Sequence, residues 1–495
     1  MGEFLNGNNQ IIELTPEQQD CVDYLGDRTL FVKGAAGSGK SLVIQYKAKQ
    51  YIEQYAGDKN NRVLVLTFNK TLANATRQIL RKNGDTSGCI AVGNVDSYLL
   101  GICRYLGLSK DTMCDREEQR RYVREALALH RKHYGVHPLN NKGIDFWIGE
   151  IEWMKDMNIT IKDAKSYYSL DRSEHGSLTE MSDNDRQVAF QIFYCYKAVL
   201  TLNKKADFID CALYIIRHRD RVPDKYKYDH LLIDEAQDFS LAQMMAVMML
   251  FRVDMLVALD INQRLYNKHW TTDQLGIKAT TKKLTKPMRT TRQIYDLAES
   301  LRSNNDEFIS KEDDYSEKAV PKGTGPKPEV LAFENDLQEK AFVIGRIKAW
   351  LAVDGEMSIG ILAATNKKVD DYASWMADAG IPKEIVKSDS NFDIAKPGVK
   401  IVTTHSVKGL EFHRVIIPEF VQGLYPFNNK PVDETIDSFM VRERNRAYVA
   451  MTRAKYSLVV TYVKKRASQF LVELDENYYD DTVNDEINNN QVNGT

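Results

Sequence analysis

No stretch of this 495-residue chain reaches the roughly 18 uninterrupted apolar residues that a membrane-spanning helix needs. The N-terminus, MGEFLNGNNQIIEL, lacks the basic start and apolar core of a secretory signal. Cysteine is sparse. Six are scattered at 21, 89, 103, 114, 195 and 211, with no CxxC pair. That argues against a zinc ribbon or an iron–sulfur cluster and favours a reducing compartment, with the cytoplasm as the expectation. Net charge is nearly absent too: 67 basic against 69 acidic residues leave −2. Composition therefore announces no polyanionic partner, and any such partner must be met by local basic surface. The run IKATTKKLTKPMRTTR, Ile277 to Arg292, has six basic residues and no acid, although a solvated face is the ordinary explanation for such a run. No short fixed-period repeat is present.

What remains is a chain long enough for about three domains. RTLFVKGAAGSGKSLVIQY, NRVLVLTFNKTLANATRQIL, YDHLLIDEAQDFSLAQMMAVMMLF and DMLVALDINQRLY each read as an apolar strand followed by a turn or helix. Buried-type strands alternating with helices predict a parallel sheet covered on both faces. Between about 105 and 215 strand signals fade and helical spacing takes over, as in REEQRRYVREALALHRKHY. VPKGTGPKP, Val320 to Pro328, reads as a linker. Beyond it PEVLAF, MSIGILAATN, VKIVTTHS, HRVIIPEF and YSLVVTYV predict a second parallel-sheet unit. From Ala467 there are seven acidic residues and no basic ones, so a disordered tail is expected. QMMAVMML reads as a core helix, and His130, His133 and His137 as surface residues rather than metal ligands.

GAAGSGKS, Gly34 to Ser41, fits the phosphate-loop pattern between a strand and a helix. Its residues Gly34, Ala35, Ala36, Gly37, Ser38, Gly39, Lys40, Ser41 and the following Leu42 would wrap a nucleotide's phosphates with backbone N–H groups at a helix N-terminus. Lys40 would reach the β/γ-phosphates and Ser41 would bind Mg²⁺. Kinases, ATPases and GTPases share this loop. HLLIDEAQDFS then supplies the partner carboxylates: Asp234 for Mg²⁺ and Glu235 to direct an attacking water, which favours hydrolysis over kinase transfer. Asp238 reads as architectural, and Gln237 as a relay of nucleotide state.

With these and the motifs that follow, the chain resembles superfamily 1 helicases of the UvrD/Rep type, from residue 14 to about 460. The resemblance implies two RecA-like motor domains with a helical insertion in the first. The first motor domain would comprise 1–104 and 216–285, the insertion 105–215, the second motor domain 286–466 and the acidic tail 467–495. LTPEQQDCV resembles the adenine-reading motif and gives Gln18 that role. VLVLTFNKTLA places Phe68 and Asn69 near the nucleic acid. VALDINQRLY implies Gln263 as the γ-phosphate sensor, and LTKPMRTTRQI implies Arg289 on the γ-phosphate. TTHSVKGLEF implies Thr403 and His405 beside nucleic acid and Gly409 and Glu411 beside the nucleotide. RNRAYVAMTRAK implies Arg453 as the arginine finger.

Departures are also visible. Met288 replaces the adenine-stacking Tyr of relatives, and Leu42 replaces an Arg. NVDS, Asn94 to Ser97, stands where relatives have T-x-H-S, so Asp96 is an odd neighbour for a phosphodiester. Tyr266 and the displaced Trp270 are the aromatics available to stack a base. Between the second lobe's early motif and Thr403 only about twenty residues intervene, leaving no room for the accessory domain that processive relatives insert there. The resemblance implies an ATP- and Mg²⁺-dependent translocase moving 3′→5′ on single-stranded DNA, with RNA not excluded. A DNA- or nucleotide-sensing ATPase subunit of a larger complex, such as an anti-phage system with protein partners, is the alternative.

Overall fold

The computed structural model describes residues 13–34, 37–55, 62–85, 90–157, 164–169, 181–259, 270, 272–285, 290–308, 320–321, 323–387, 392–393, 396–428, 430 and 436–482. Two six-stranded sheets, every pairing parallel, form the scaffold. This is the α/β class expected from the alternating strands and helices.

The first sheet holds β1 (Thr29–Gly34), β2 (Val63–Thr67), β3 (Ile90–Asn94), β4 (Tyr228–Ile233), β5 (Phe251–Leu259) and β6 (Thr280–Leu284), in the order β3-β2-β4-β5-β1-β6. Successive strand side chains point to opposite faces. Leu231 and Ile233 therefore enter one core while Leu232 enters the other. Helices α1 (Pro16–Val22), α2 (Lys40–Gln54) and α3 (Lys70–Lys82) follow or precede the early strands, and α4 (Val95–Tyr105) leaves the carboxyl end of β3. Because both faces are covered, β2 and β4 are apolar or buried at every position.

The insertion comprises α5 (Arg116–Tyr134), α6 (Ile144–Asp156), α7 (Ala164–Ser169) and α8 (Asp183–Leu202), and it closes its own core around Trp147, Ile151, Phe193 and Tyr196. The next helix, α9 (Phe208–Arg217), was expected within the insertion. Its Cys211, Ala212, Leu213 and Ile215 instead bury in the first lobe's core, against residues of α4 and α10 (Leu241–Met248). The insertion is fastened to α9 by one buried cation. Lys155 is 1% exposed and its Nζ lies 2.6 Å from Asp207 Oδ2 and 2.7 Å from Asp210 Oδ2. The Tyr196 hydroxyl donates to the same Asp207 oxygen at 3.1 Å. In α10, Met244 is fully buried, as the Met-rich stretch predicts. His130 is buried too, bonded to Gln191 and Asn140 rather than at the surface.

After α11 (Thr272–Leu275), α12 (Arg292–Arg302) packs on the second lobe. That lobe holds β7 (Glu329–Phe333), β8 (Ser358–Ala363), β9 (Lys383–Val386), β10 (Gly398–Thr403), β11 (Phe412–Ile417) and β12 (Ala454–Val463), in the order β7-β12-β11-β8-β10-β9. α13 (Asp336–Val353) and α14 (Asn366–Asp378) cover one face through Val343, Ile347, Trp350 and Tyr372; α12 and α15 (Ile436–Met451) cover the other.

Residues 467–482 correct the expectation of a loose tail. Phe470 is fully buried and Leu474 is 4% exposed, both in the second lobe's core. Arg444 grips Glu473 through two bonds of 2.7 and 3.0 Å, and Asp480 exchanges backbone bonds with Pro328 and Val330. An acidic composition hid two apolar anchors. Among the described residues, no helix is long and apolar enough to cross a membrane.

Candidate active site

Three features of the first sheet converge at the carboxyl ends of β1 and β4. The turn after β1 enters α2 through Gly39, whose φ of 88° is a left-handed conformation that suits glycine. A Cβ there would also sit 2.1 Å from Gln18 Nε2. Lys40 is buried, and its Nζ donates to the carbonyl of Gly34 at 2.7 Å, holding the ammonium over the loop. Gln18 accepts from the Thr15 N–H at 2.9 Å in the capping box of α1 and donates to the Ser38 carbonyl at 2.9 Å. The residue expected to read adenine therefore braces the phosphate loop. Among the described residues the buried Ser38 hydroxyl has no hydrogen-bond partner. Leu42 joins Ile79 in a small apolar cluster.

Asp234 and Glu235 follow β4, both buried. Glu235 has φ 55° and ψ 41°, left-handed for a residue that carries a Cβ. Such backbone costs on the order of 1–3 kcal/mol and persists where the surroundings over-determine it. Burial and the neighbouring Glu235 charge raise the Asp234 carboxyl, while the Ser41 hydroxyl and Lys40 oppose them. For Glu235 burial works upward, but Lys408, Lys40 and Arg453 outweigh it and keep the carboxyl below its ordinary range. Gln237 donates to Glu235 Oε2. Ser41 and Asp234 already touch, and a buried anion raised by its neighbour is the environment a divalent cation relieves. This donor set fits Mg²⁺.

Lys408 was not singled out in the sequence. It lies in SVKGLEF of the second lobe, is 2% exposed, and reaches across to the first lobe. Its Nζ is 2.6 Å from Asp238 Oδ2 and 3.6 Å from Glu235 Oε2. A buried lysine needs an anion, and DEAQD holds one carboxylate more than metal and water require; those two facts were the available signal. Asp238, read as architectural, thus joins the lobes. Gly409, with φ 82°, sits so close to the first lobe that a Cβ would meet Leu72 Cδ1 at 2.6 Å. Glu411 pairs with Lys455 at 3.4 Å. Arg453 is 5% exposed, its guanidinium tied to the Val449 carbonyl at 2.9 Å and near enough to Glu235 to act on its charge.

On the face expected to meet nucleic acid, Phe68 packs partly buried on the first lobe's core. Asn69 caps α3, accepting from the Leu72 N–H at 2.7 Å. Thr403 bonds Ser406 in the turn after β10, and His405 is exposed beside it. The Trp270 indole donates to the Phe239 carbonyl at 3.0 Å and packs partly buried on the core. Asp96, the odd residue of NVDS, accepts from Gln243 at 2.7 Å and so ties α4 to the start of α10. The short segment before β10 reaches the first lobe: Gln78 donates to the Phe392 carbonyl at 2.6 Å, and Phe392 is buried near Ala75. Ala35, Ala36, Gln263, Tyr266, Met288 and Arg289 lie outside the described residues.

Residues 14–271 match the model of the UvrD/REP helicase N-terminal domain, and residues 386–465 that of the UvrD-like helicase C-terminal domain. A DNA helicase II homolog of Mycoplasma capricolum is 24% identical over 405 residues, 76% of this chain and 52% of that protein. The ATP-dependent DNA helicase PcrA of Staphylococcus aureus is 24% identical over 261 residues, 49% of this chain and 32% of that protein. A solved C-terminal domain of a helicase-like protein from a Lactobacillus, strain WCFS1, aligns with a TM-score of 0.29 and 19% identity over 39% of this chain and 97% of that one. The chain thus spans about half the length of the Mycoplasma relative. Matched over more than half its own length by the N-terminal-domain model, which takes in the phosphate loop and paired carboxylates, and with the cross-lobe lysine inside the C-terminal-domain match, the chain belongs to the UvrD/Rep helicase family.

Proposed function

We propose that this chain is a nucleic-acid-stimulated ATPase that moves along single-stranded DNA by opening and closing its two lobes. The observation that carries the reading is Lys408, a second-lobe cation seated among first-lobe carboxylates. Catalytic charge balance and lobe position are therefore one electrostatic problem. ATP is the substrate, its phosphates taken by the Gly34–Ser41 loop and Lys40. Ser41 and Asp234 would hold Mg²⁺, which when bound supplies charge neutralisation on the phosphate oxygens. Glu235, kept ionised by the cations around it, orients and deprotonates the water. Gln237 fixes the Glu235 carboxylate, and Arg453 brings positive charge from the second lobe. Arg289 and Gln263 complete the γ-phosphate surroundings in this reading, with Gly409 and Glu411 lining the nucleotide from the second lobe.

Single-stranded DNA would lie across both lobes over Phe68, Asn69, Thr403 and His405, with Tyr266 and Trp270 as further contacts and 3′→5′ polarity carried over from the family. The reducing cytoplasm suits the five cysteines among the described residues, all of them free and buried. The test is ATPase rate with single-stranded DNA, duplex DNA and RNA. Many-fold stimulation by the single strand is expected; a rate indifferent to every nucleic acid overturns the reading.

A second reading, a sensing ATPase subunit that needs a protein partner to separate strands, is favoured by the short Phe392 segment where relatives carry an accessory domain. Robust displacement of a tailed duplex by the isolated chain counts against it.

A further inference from the structure

A pocket of about 180 Å³ opens on the flank where the insertion meets the first lobe. Lys155, Lys197, Lys205, Arg217, Asp210 and Tyr214 are among the residues that line it. Its charges do not balance. Lys155 is answered by Asp207 and Asp210, and Lys205 by Glu118 at 3.0 Å. Asp210 is already committed, holding Lys155 and accepting the Asp207 N–H at 3.0 Å. Lys197 and Arg217 have no carboxylate within ion-pair distance among the described residues. The Lys197 ammonium lies over the face of Phe193, 5.6 Å from its centroid. Burial, then Arg217 and Lys155, push the Lys197 ammonium toward its neutral form, with Asp210 and Asp207 opposing. Two like charges meet at the mouth of this half-open pocket, Lys197 half-buried and Arg217 exposed, and an anion that joins them relieves their repulsion.

This place is separate from the nucleotide site. α4 leaves the carboxyl end of β3 and runs for 11 residues, about 16 Å, before the chain reaches Leu108 in the pocket wall. α9 ends at Arg217, shortly before the amino end of β4, whereas Asp234 lies beyond its carboxyl end.

We infer that this pocket binds a phosphate group, with Lys197 and Arg217 as its counter-charges. At about 180 Å³ the pocket has room for a tetrahedral oxyanion and part of its hydration. A guanidinium fork and an ammonium point charge together suit an anion with several oxygens better than a single carboxylate. The phosphate has two sources: a phosphodiester of a nucleic acid strand, which rests on the function proposed above, or free phosphate, which does not.

The test compares the full chain with K197A/R217A, both saturated with Mg-ADP so that the phosphate loop is filled. Binding of labelled single-stranded and duplex oligonucleotides is measured from about 50 to 200 mM salt, where each lost phosphate contact lowers the log–log slope by about 0.7 on single strands or 0.9 on duplex. Thermal midpoints are measured in potassium phosphate against potassium chloride at equal ionic strength. A slope lowered by about one contact, with weaker binding, identifies a strand as the source. An unchanged slope with loss of the phosphate-specific rise in midpoint identifies free phosphate. K197R/R217K should retain whichever response the wild type shows, and K197Q/R217Q replaces the alanine variant if that one misfolds. ATPase without nucleic acid should be unchanged throughout. Equal slopes, equal affinities and equal phosphate-dependent midpoints for wild type and variant overturn the inference.

Discussion

Replacing Lys408 with methionine removes a positive charge from a seam that water does not reach. Its ammonium lies 2.6 Å from Asp238 and 3.6 Å from Glu235, and all three residues are buried. Asp238 is then left with a choice between a buried, uncompensated charge and a proton. An ordinary aspartate has a pKa of about 3.9, so protonating it at pH 7 costs about 4 kcal/mol, which sets the ceiling on the damage. Breaking a buried pair by removing one partner costs about 3–5 kcal/mol in general, so the two routes agree. At pH 5 the same protonation costs only about 1.5 kcal/mol. The unpaired carboxyl has a raised affinity for its proton in the folded variant, so its penalty grows as pH rises and shrinks as pH falls. Urea unfolding of wild type, K408M, D238N and K408M/D238N at pH 7 and pH 5 measures this directly. K408M should lose most of that energy at pH 7 and much less at pH 5. The double variant should recover the larger part, because removing both partners strands nothing. A K408M protein that unfolds with wild type at both pH values refutes the reasoning, as does a double variant no better than K408M.

Glu235→Gln should lower the ATPase rate by about 10²–10⁴-fold while leaving nucleotide binding near wild type, measured by steady-state kinetics and nucleotide titration. Gly39→Ala forces a Cβ into left-handed backbone at about 1–2 kcal/mol and against Gln18, so ATP affinity should fall; G39A/Q18A should recover only the steric part. Phe470→Ala empties a fully buried site and should destabilise the second lobe by about 3–5 kcal/mol, seen as a lower thermal midpoint. A truly loose tail would show no shift.

The phosphate loop was readable because its chemistry is contiguous: GAAGSGKS supplies glycines, lysine and serine within one turn. The parallel sheets were readable because doubly covered strands carry unbroken apolar runs such as VLVL (63–66) and LLI (231–233). Partnerships across long separations were not. Lys408 and Asp238 are 170 positions apart, and nothing local marks either as the other's counter-ion. Local chemistry also gives motif residues structural tasks that the motifs do not announce. Asn69 precedes a helix and caps it, and Gln18, the third residue of α1, closes that helix's capping box. α9 looked like one more insertion helix because helical spacing says nothing about which core a helix enters. Phe470 and Leu474 were outweighed by the acids around them, although two apolar side chains suffice to dock a short segment.

The Lys155 lock changes what the insertion is mechanically. With its ammonium held between Asp207 and Asp210, any swivel of the helical insertion on the first lobe would bare that charge, which opposes such a swivel. Compliance is left to the seam where Lys408, Gly409 and Phe392 meet the first lobe. In the function proposed above, a stroke started there would pass along α5, about 28 Å of helix, to the far end of the insertion. Loosening Lys155 would leave the engine running and disconnect the crank.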